Sequence, residues 1–320
     1  MRRAYALAFI PLLAAVAVAG CGSSSSSKPA ASTSSDTYKS VTVTGEFDTT
    51  PKVTIPKETG TGTLLTKTLI KGTGAKLTAT DGMIGQYVAY DWSGKTSKLL
   101  GSSYSQGAPS LFVGSLLPGL EKAVVGQPIG SRVLAVIPPA DAFGSTGNSS
   151  EGIGAKDTLV FVIDMDSTFA TGSVPGTQTS NAGGSLPTVT APAANSTAGP
   201  TIKIPAKTTA PTTLQVKTLI KGKGAAVKKG QDIAVQYTGV IWRTGKVFDS
   251  SWSRQTPLTT VIGEGQVIPG WDTGLVGQTV GSRVMLVIPA KDGYGTTGAS
   301  QAGINGTDTL VFVVDILAAA

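Results

Sequence analysis

The 320-residue sequence contains no histidine, a single cysteine and only 14% charged residues. Catalytic triads, zinc sites, haem ligation and dithiol redox chemistry need these side chains, so the composition excludes those mechanisms. The formal net charge of +7 is mild, and no dense run of lysine or arginine occurs. This balance argues against nucleic-acid binding, which depends on concentrated positive charge. We therefore expect no metal, no cofactor and no nucleic-acid partner.

The amino terminus has the pattern of an export signal. Arg2 and Arg3 precede a largely apolar stretch, residues 4–19, that is too short for a comfortable membrane span. The stretch ends in Val-Ala-Gly-Cys21, which resembles the lipobox of bacterial lipoproteins and would make Cys21 the lipidated first residue of the mature chain. An ordinary signal peptide followed by a chance cysteine is the alternative. We predict an extracytoplasmic protein, lipid-anchored to the bacterial cell membrane.

The chain repeats itself. Three segments recur in the same order, 150 or 151 residues apart: TLIKGTGA from Thr68 and TLIKGKGA from Thr218, GSRVLAVIP from Gly130 and GSRVMLVIP from Gly281, and DTLVFVID from Asp157 and DTLVFVVD from Asp308. A solenoid would show a period of about 20 to 50 residues, so the pattern indicates a duplicated domain.

Two stretches rich in small and polar residues separate these copies from the rest of the chain. Such composition is typical of flexible segments. The predicted organisation is a signal peptide at 1–20, a flexible tether at 21–49, a first domain at 50–168, a flexible linker at 169–199 and a second domain at 200–320.

Within each copy, the hydrophobic pattern is that of short strands. In the second copy, five segments alternate or run apolar with many β-branched residues: 216–220, 232–242, 258–262, 283–290 and 309–316. One short helix is predicted from Pro269, with Trp271 and Leu275 on one face and Gly277 as its end. We expect an antiparallel sheet wrapped on this helix. Asp164, Asp166 and Asp315 are interpreted as solvated strand ends.

The second copy also carries motifs that resemble a known family. VQYTG from Val235, VFDSS from Val247, VIPGW from Val267, a Gly-Tyr-Gly turn at Tyr294 and the terminal TLVFVVDI follow one another in the family's order. They are similar to the FKBP family of peptidyl-prolyl cis/trans isomerases, the receptors of rapamycin-type macrolides. The resemblance covers nearly all of residues 213–318. It implies an α+β fold class with two FKBP-like domains, each a twisted antiparallel sheet of about five strands wrapped on one short helix.

The resemblance also implies roles for matching positions. Trp271 would form the floor of an aromatic pocket beneath the substrate proline. The residues implied in catalysis are Tyr237, Phe248, Asp249, Trp271, Tyr294 and Phe312. Substrate contacts are implied for Arg254, Leu258, Val267, Ile268 and Ile304. Leu258 stands where an aromatic wall residue is usual, which should change substrate preference more than turnover, and Ile304 falls on the rim loop.

The first copy departs further from this pattern. We match Tyr90 with Tyr237 and Phe161 with Phe312. The other pocket positions are changed: Leu100 and Gly101 replace the Phe-Asp pair, Leu120 replaces the tryptophan and Phe143 replaces the tyrosine. We therefore expect a first domain that keeps the fold but has a degenerate pocket and little activity.

Two functions from different classes follow. The first is a membrane-anchored isomerase that acts on X-Pro bonds of exported proteins, mainly through its second domain, and that rapamycin-type macrolides would inhibit. The second is a non-enzymatic lipoprotein that binds proline-containing segments as a chaperone or envelope scaffold. Isomerisation needs no nucleophile, since the barrier of about 18 to 20 kcal/mol arises from amide conjugation, and this suits a chain without histidine.

Overall fold

A computed structural model describes residues 36–38, 41–60, 62–114, 116–178, 182–193 and 195–320. The predicted signal peptide at 1–20 and the predicted lipidation site at Cys21 lie outside the described residues. Two compact units are present, one with residues up to 76 together with 86–106 and 115–165, the other with 77–85, 107–114 and 166–320. No helix in the described part of the chain is long and apolar enough to cross a membrane.

The described part of the first repeat contains nine strands and one α-helix. A three-stranded sheet is formed by β1 (Asp36–Tyr38), β2 (Val41–Thr44) and β3 (Lys52–Thr54). The larger sheet and the helix follow as β4 (Leu65–Ile70), β5 (Asp81–Ser93), β6 (Thr96–Ser102), β7 (Ser110–Phe112), α1 (Pro118–Val124), β8 (Arg132–Ile137) and β9 (Thr158–Ala170).

The second repeat has the same order of main-sheet strands and one further helix. A short hairpin comes first, formed by β10 (Thr188–Thr190) and β11 (Thr201–Lys203). The main sheet and its helices are β12 (Gln215–Ile220), β13 (Asp232–Ile241), β14 (Val247–Ser250), α2 (Ser251–Arg254), β15 (Leu258–Val261), α3 (Pro269–Leu275), β16 (Arg283–Ile288) and β17 (Leu310–Ala319).

Both main sheets are antiparallel and share one topology. The strand order is β4-β8-β9-β5-β6 in the first repeat and β12-β16-β17-β13-β14 in the second. A sixth strand, β7 or β15, pairs with the start of the long strand β5 or β13. The predicted fold class, two α+β domains with about five strands and one short helix, is confirmed. The structure adds β14 and the one-turn helix α2 to the five strands and single helix expected for the second repeat.

The helix α3 lies where the sequence places it and closes the inner face of the second sheet. Pro269 occupies the first turn, where its missing N–H costs nothing, and the helix ends before Gly277, which has a φ of +87°. Trp271 and Leu275 are buried in a core with residues of β13, β16 and β17. The outer face of the same sheet is also apolar, and an antiparallel sheet with two apolar faces needs a second cover.

In the first repeat, that second cover comes from residues predicted to be a flexible tether. Val41 and Val43 of β2 are buried against the outer face of the main sheet, in a cluster with Trp92, Leu134 and Val160. Residues 41–49, predicted as part of a flexible tether, therefore contain a strand that packs on the main sheet. Alternate valines in VTVT supply one apolar edge, and burial of these side chains outweighs the disorder-prone composition around them.

Part of the predicted flexible linker at 169–199 also packs on a sheet. Val189 of β10 and Ile202 of β11 are neighbours in the hairpin register and are buried against Trp242 and Met285 of the second sheet. We call residues 186–204, which contain this hairpin, the strap. The strap covers the outer face of the second sheet, as β2 and β3 do for the first.

Two aspartates predicted as solvated strand ends are buried instead. Asp164 pairs with Arg132 on the neighbouring strand, at 2.6 Å from Nη2, and Asp315 pairs with Arg283, at 2.6 Å from Nε. All four side chains are at most 1% exposed. The prediction was wrong because a charged group can be buried when an opposite charge and further donors surround it. The third aspartate, Asp166, also has a buried carboxylate oxygen.

Each buried arginine–aspartate pair forms hydrogen bonds to the segment that precedes its main sheet. Arg132 donates to the carbonyl oxygens of Gly45 and Thr49, at 3.0 and 2.8 Å. In the second repeat, Arg283 donates to Ser173 Oγ at 2.6 Å, and the N–H of Val174 donates to Asp315 at 3.1 Å. The repeated unit therefore includes a covering segment as well as the sheet and helix.

We predict that Ile202→Ala lowers the free energy of unfolding of the second repeat by about 2 kcal/mol, because it removes a buried side chain from the strap. Urea unfolding followed by tryptophan fluorescence measures this, since Trp242 lies in the same cluster. Thr201→Ala, an exposed position on the same strand, is the control and should change stability by less than about 0.5 kcal/mol. Equal stabilities of the two variants would contradict packing of the strap.

Candidate active site

A cavity of about 500 Å³ lies in the second repeat, between α3, β13, β14, β15 and β17. Its lining combines aromatic and aliphatic side chains with few polar groups, as ligand-binding cavities usually do. The lining residues are Tyr237, Phe248, Asp249, Leu258, Thr259, Thr260, Gly265, Gln266, Val267, Ile268, Pro269, Trp271, Gly293, Tyr294 and Phe312.

Four aromatic rings fix the shape of this cavity. The Trp271 ring meets those of Tyr237 and Phe312 edge to face, with centroids 5.3 Å apart in both cases. Phe312 also meets Phe248 edge to face at 5.5 Å. Edge-to-face contacts place the positive ring edge on the negative ring face, so they stabilise one arrangement of the four rings. The result is a rigid aromatic cavity with Trp271 at its base.

Gly239 makes this packing possible. It lies in the middle of β13, opposite Phe312 in the register with β17. A Cβ atom at this position would be 2.8 Å from Phe248 and 2.9 Å from Phe312, too close for either ring to keep its place. A glycine inside a strand indicates a close approach of this kind, and sequence reasoning missed this signal.

The polar part of the cavity is a three-residue network. The Tyr237 hydroxyl donates to Asp249 Oδ2, and Arg254 Nη1 donates to Asp249 Oδ1. Arg254 Nη2 donates to the Tyr237 hydroxyl oxygen at 2.8 Å. The network connects β13, β14 and α2, because these elements carry one residue each.

The network sets the protonation states of its members. Burial alone would raise the pKa of Asp249, but the hydrogen bonds from Tyr237 and Arg254 outweigh it, and the pKa lies below its usual value. Burial, followed by the hydrogen bond to Asp249, raises the pKa of Tyr237 to about 12. Burial and the nearby charge of Asp249 raise the pKa of Tyr294. The cavity therefore holds one carboxylate and two neutral phenols at physiological pH.

The structure brings most of the predicted site residues together. Nine of the eleven line the cavity: Tyr237, Phe248, Asp249, Leu258, Val267, Ile268, Trp271, Tyr294 and Phe312. Arg254 is outside the lining and touches the site through Asp249 and Tyr237. Ile304, expected on the rim, is not among the lining residues: it is 3% exposed and belongs to the core cluster of Trp271 and Phe312, and its N–H and carbonyl bond to Ala299.

The first repeat keeps the framework of this site. The N–H of Tyr237 donates to Ser251 Oγ at 2.8 Å, and the N–H of Tyr87 donates to Ser103 Oγ at the same distance. Tyr87, and not Tyr90, therefore matches Tyr237. The match with Tyr90 was wrong because the first repeat has two tyrosines three residues apart. The sequence already favours Tyr87, since Gln-Tyr followed five residues later by tryptophan occurs at 86–92 and 236–242.

The other positions of the first repeat differ as the sequence suggests. Gly101 lies opposite Ala89 in the same register that places Asp249 opposite Gly239, so this repeat supplies no carboxylate there. Leu120 is buried at the third position of α1, where α3 has Trp271. Within the described residues, no three His, Cys, Asp or Glu side chains lie close enough together to hold a metal ion.

The second repeat belongs to a class of small α+β domain in which an aromatic cavity lies between an antiparallel sheet and a short helix, and comparison with known proteins identifies the family. The model of the FKBP-type peptidyl-prolyl cis-trans isomerases matches residues 79–166 and 223–317. These two matches cover more than half of the chain, which therefore belongs to this family. The chain is an FKBP-type peptidyl-prolyl cis-trans isomerase with two tandem domains. FKBP domains bind proline-containing peptides and FK506-type macrolides.

Individual relatives each match about one third of the chain. An FK506-binding protein of Streptomyces anulatus is 45% identical over 108 residues, which are 34% of this chain and 87% of the relative. An FK506-binding protein of Neisseria meningitidis serogroup A is 43% identical over 104 residues, 32% of this chain and 94% of the relative. The peptidyl-prolyl cis-trans isomerase FKBP15-1 of Arabidopsis thaliana is 48% identical over 90 residues, 28% of this chain and 58% of the relative.

We predict that isomerase activity is independent of pH from about pH 5 to about pH 9, because Asp249 stays ionised and both phenols stay protonated across this range. The lowered pKa of Asp249 stabilises the fold above the unfolded value of about 3.9, and this contribution is lost as pH falls through the folded value. A protease-free isomerisation assay measures the profile. A midpoint near neutral pH would contradict these protonation states.

Proposed function

We propose that the second domain carries the isomerase activity, with Trp271 as the floor of the site, and that the chain acts on exported proteins at the outer face of a bacterial membrane. The observation that supports the first part is the aromatic cavity at Trp271, with its four packed rings. The support for the second part is the amino-terminal sequence.

The cavity suits the chemistry of X-Pro rotation. The planar amide is stabilised by conjugation and is strongly dipolar, whereas the twisted amide is less so. A dry apolar cavity therefore disfavours the planar form more than the twisted form. In this proposal, the proline ring lies on Trp271, with Phe248 and Phe312 as walls, and no covalent step occurs. A hundredfold acceleration requires only about 2.7 kcal/mol, which desolvation and positioning can supply.

Polar groups at the cavity have positioning roles in this proposal. The Tyr294 hydroxyl lies on the lining, stays protonated and is a donor for a substrate carbonyl. Asp249 accepts from Tyr237 and Arg254 and so holds the phenol against Trp271. Leu258, Thr259 and Thr260 form a less aromatic wall, which would shape the preference for residues next to proline.

The first domain has a different role in this proposal. It keeps the sheet and the Tyr87–Phe161 contact, with ring centroids 6.4 Å apart. Leu120 and Gly101 remove the indole floor and the carboxylate. Since both the aromatic contacts and the polar network contribute to the second site, we expect their joint loss to leave a first domain with little isomerase activity, which spaces or recruits.

Matched tyrosine variants in the full chain test which domain is active. Tyr237→Phe removes a hydroxyl that bonds to Asp249 and Arg254, and we expect kcat/KM to fall about three- to tenfold, since one such bond contributes about 0.5 to 1.5 kcal/mol. Tyr87→Phe, at the equivalent position of the first domain, should leave kcat/KM unchanged. A proline-peptide isomerisation assay measures both. A larger loss for Tyr87→Phe would assign the activity to the first domain.

Anchoring through Cys21 is the second part of the proposal. The lipobox-like sequence before this cysteine and the short apolar segment before it support acylation after export. Two acyl chains give stable membrane attachment where one is marginal. The active domain would then meet unfolded chains as they leave the membrane, when X-Pro bonds still isomerise slowly.

Substitution of this residue tests the anchor. When the full-length gene is expressed in a bacterium, we expect the wild-type chain in the membrane fraction and Cys21→Ser in the soluble extracytoplasmic fraction, because the variant offers no thiol for acylation. Cell fractionation with immunodetection measures the distribution. Retention of Cys21→Ser in the membrane at wild-type levels would show that another element anchors the chain.

A further inference from the structure

One carboxylate next to the cavity has no role in the chemistry described so far. Asp272 follows Trp271 directly in α3, and its side chain turns back toward the loop that precedes the helix. Its Oδ1 accepts the N–H of Gly263 at 2.7 Å, and its Oδ2 accepts the N–H of Gly265 at 2.8 Å. One side chain therefore holds two points of the same loop.

This loop, residues 262–268, forms one side of the cavity. Gly265, Gln266, Val267 and Ile268 all belong to the lining. Its first residue is fixed to the neighbouring turn, since the N–H of Ile262 donates to the carbonyl of Gln231 at 3.0 Å. Its last residue is fixed by the first turn of α3.

Between these ends, the loop depends on Asp272. Across the described residues, no other hydrogen bond fixes the backbone of 263–267. Gly263 and Gly265 have φ values of +83° and +75°, in the left-handed region where glycine is favoured. Two glycines also give this loop access to many other conformations, so contacts are needed to hold the conformation seen in the structure.

The first domain lacks this arrangement of carboxylate and glycine loop. Its α1 carries Glu121 at the position of Asp272. The connection before α1, residues 113–117, has five residues, whereas the connection before α3 has seven. The carboxylate of correct length and the glycine loop thus occur together, in the domain that has the aromatic cavity.

We propose that Asp272 is a positioning residue for the isomerase site: by binding the N–H groups of Gly263 and Gly265, it holds the loop in the shape that completes the cavity wall for the peptide. The inference rests on the proposed function of the second domain. Asp272 does not touch the substrate in this proposal. Removal of the Asp272 carboxylate leaves Trp271 and Tyr237 in place but makes the loop mobile. Peptide binding must then also order the loop, which lowers the affinity.

Substitutions in the full chain test this role. For Asp272→Ala we expect KM for a proline tetrapeptide and the Kd for FK506 to rise about tenfold, with kcat within about twofold of wild type, because the wall contacts ground and transition states alike. Asp272→Asn keeps one acceptor oxygen and should fall between Asp272→Ala and wild type. The graded series remains informative if the alanine variant folds poorly.

The control is Glu264→Gln, on the same loop. Glu264 is exposed and pairs with Lys229 at 3.7 Å, so the variant removes a loop charge without touching the two bonds to Asp272. We expect its KM and FK506 affinity to equal those of wild type. A purely structural role for Asp272 would lower the amount of active enzyme, seen as a lower kcat with unchanged KM, and that result would overturn the inference.

The outcome also separates this inference from the proposed function. If Tyr237→Phe lowers activity but both Asp272 variants keep the wild-type KM, the second domain is the isomerase and the inference about Asp272 is wrong. If Tyr237→Phe has no effect, the proposed site itself fails, whatever the Asp272 variants show.

Discussion

The contact of the Trp271 indole with the rings of Phe312 and Tyr237 is the interaction on which the site depends. Those two rings come from strands that are neighbours in the sheet, and the indole comes from the helix that covers it, so the cavity floor is also the joint between sheet and helix. A site built into such a joint is rigid, because moving the floor would unpack the core. It also has a cost: a substitution at the floor changes stability and function together.

The stability of each sheet also depends on a cover for its outer face. Both faces of these sheets are apolar, and residues outside the minimal domain cover the outer one. In the first repeat, the arginine of the buried pair donates to carbonyl groups between β2 and β3. In the second repeat, the pair bonds to Ser173 and Val174, which precede the strap. A buried ion pair is tolerated only with such extra bonds, so in each repeat the pair and the segment bonded to it stabilise each other.

Five strands of the second repeat and the helix at Pro269 could be predicted, because alternation and a first-turn proline are local signals, and the resemblance of five motifs to a known family implied most of the cavity lining. The strap could not, since only a few apolar residues, such as Val189 and Ile202, stand among small and polar ones, and their value depends on a sheet face far away in sequence. The burial of Asp164 and Asp315 was not predicted, for a similar reason. In each case the partner arginine is 32 residues away in the sequence and is identified only by strand register.

Comparison of the two repeats separates framework from chemistry. The hydrogen bond from Ser103 to Gln86 recurs as Ser251 to Gln236, beside tyrosines that hold the same place in both sheets. Since the first domain keeps this pair without the aspartate and the indole, the pair belongs to the fold. The residues found only in the second domain include Gly239, Phe248, Asp249, Arg254, Trp271, Asp272 and Tyr294. Gly239 leaves room for the rings of Phe248 and Phe312, and each of the others lines the cavity or bonds to a residue that does. The first domain has the same sheet and helix with Leu120 in place of the indole, so the topology itself does not require this set.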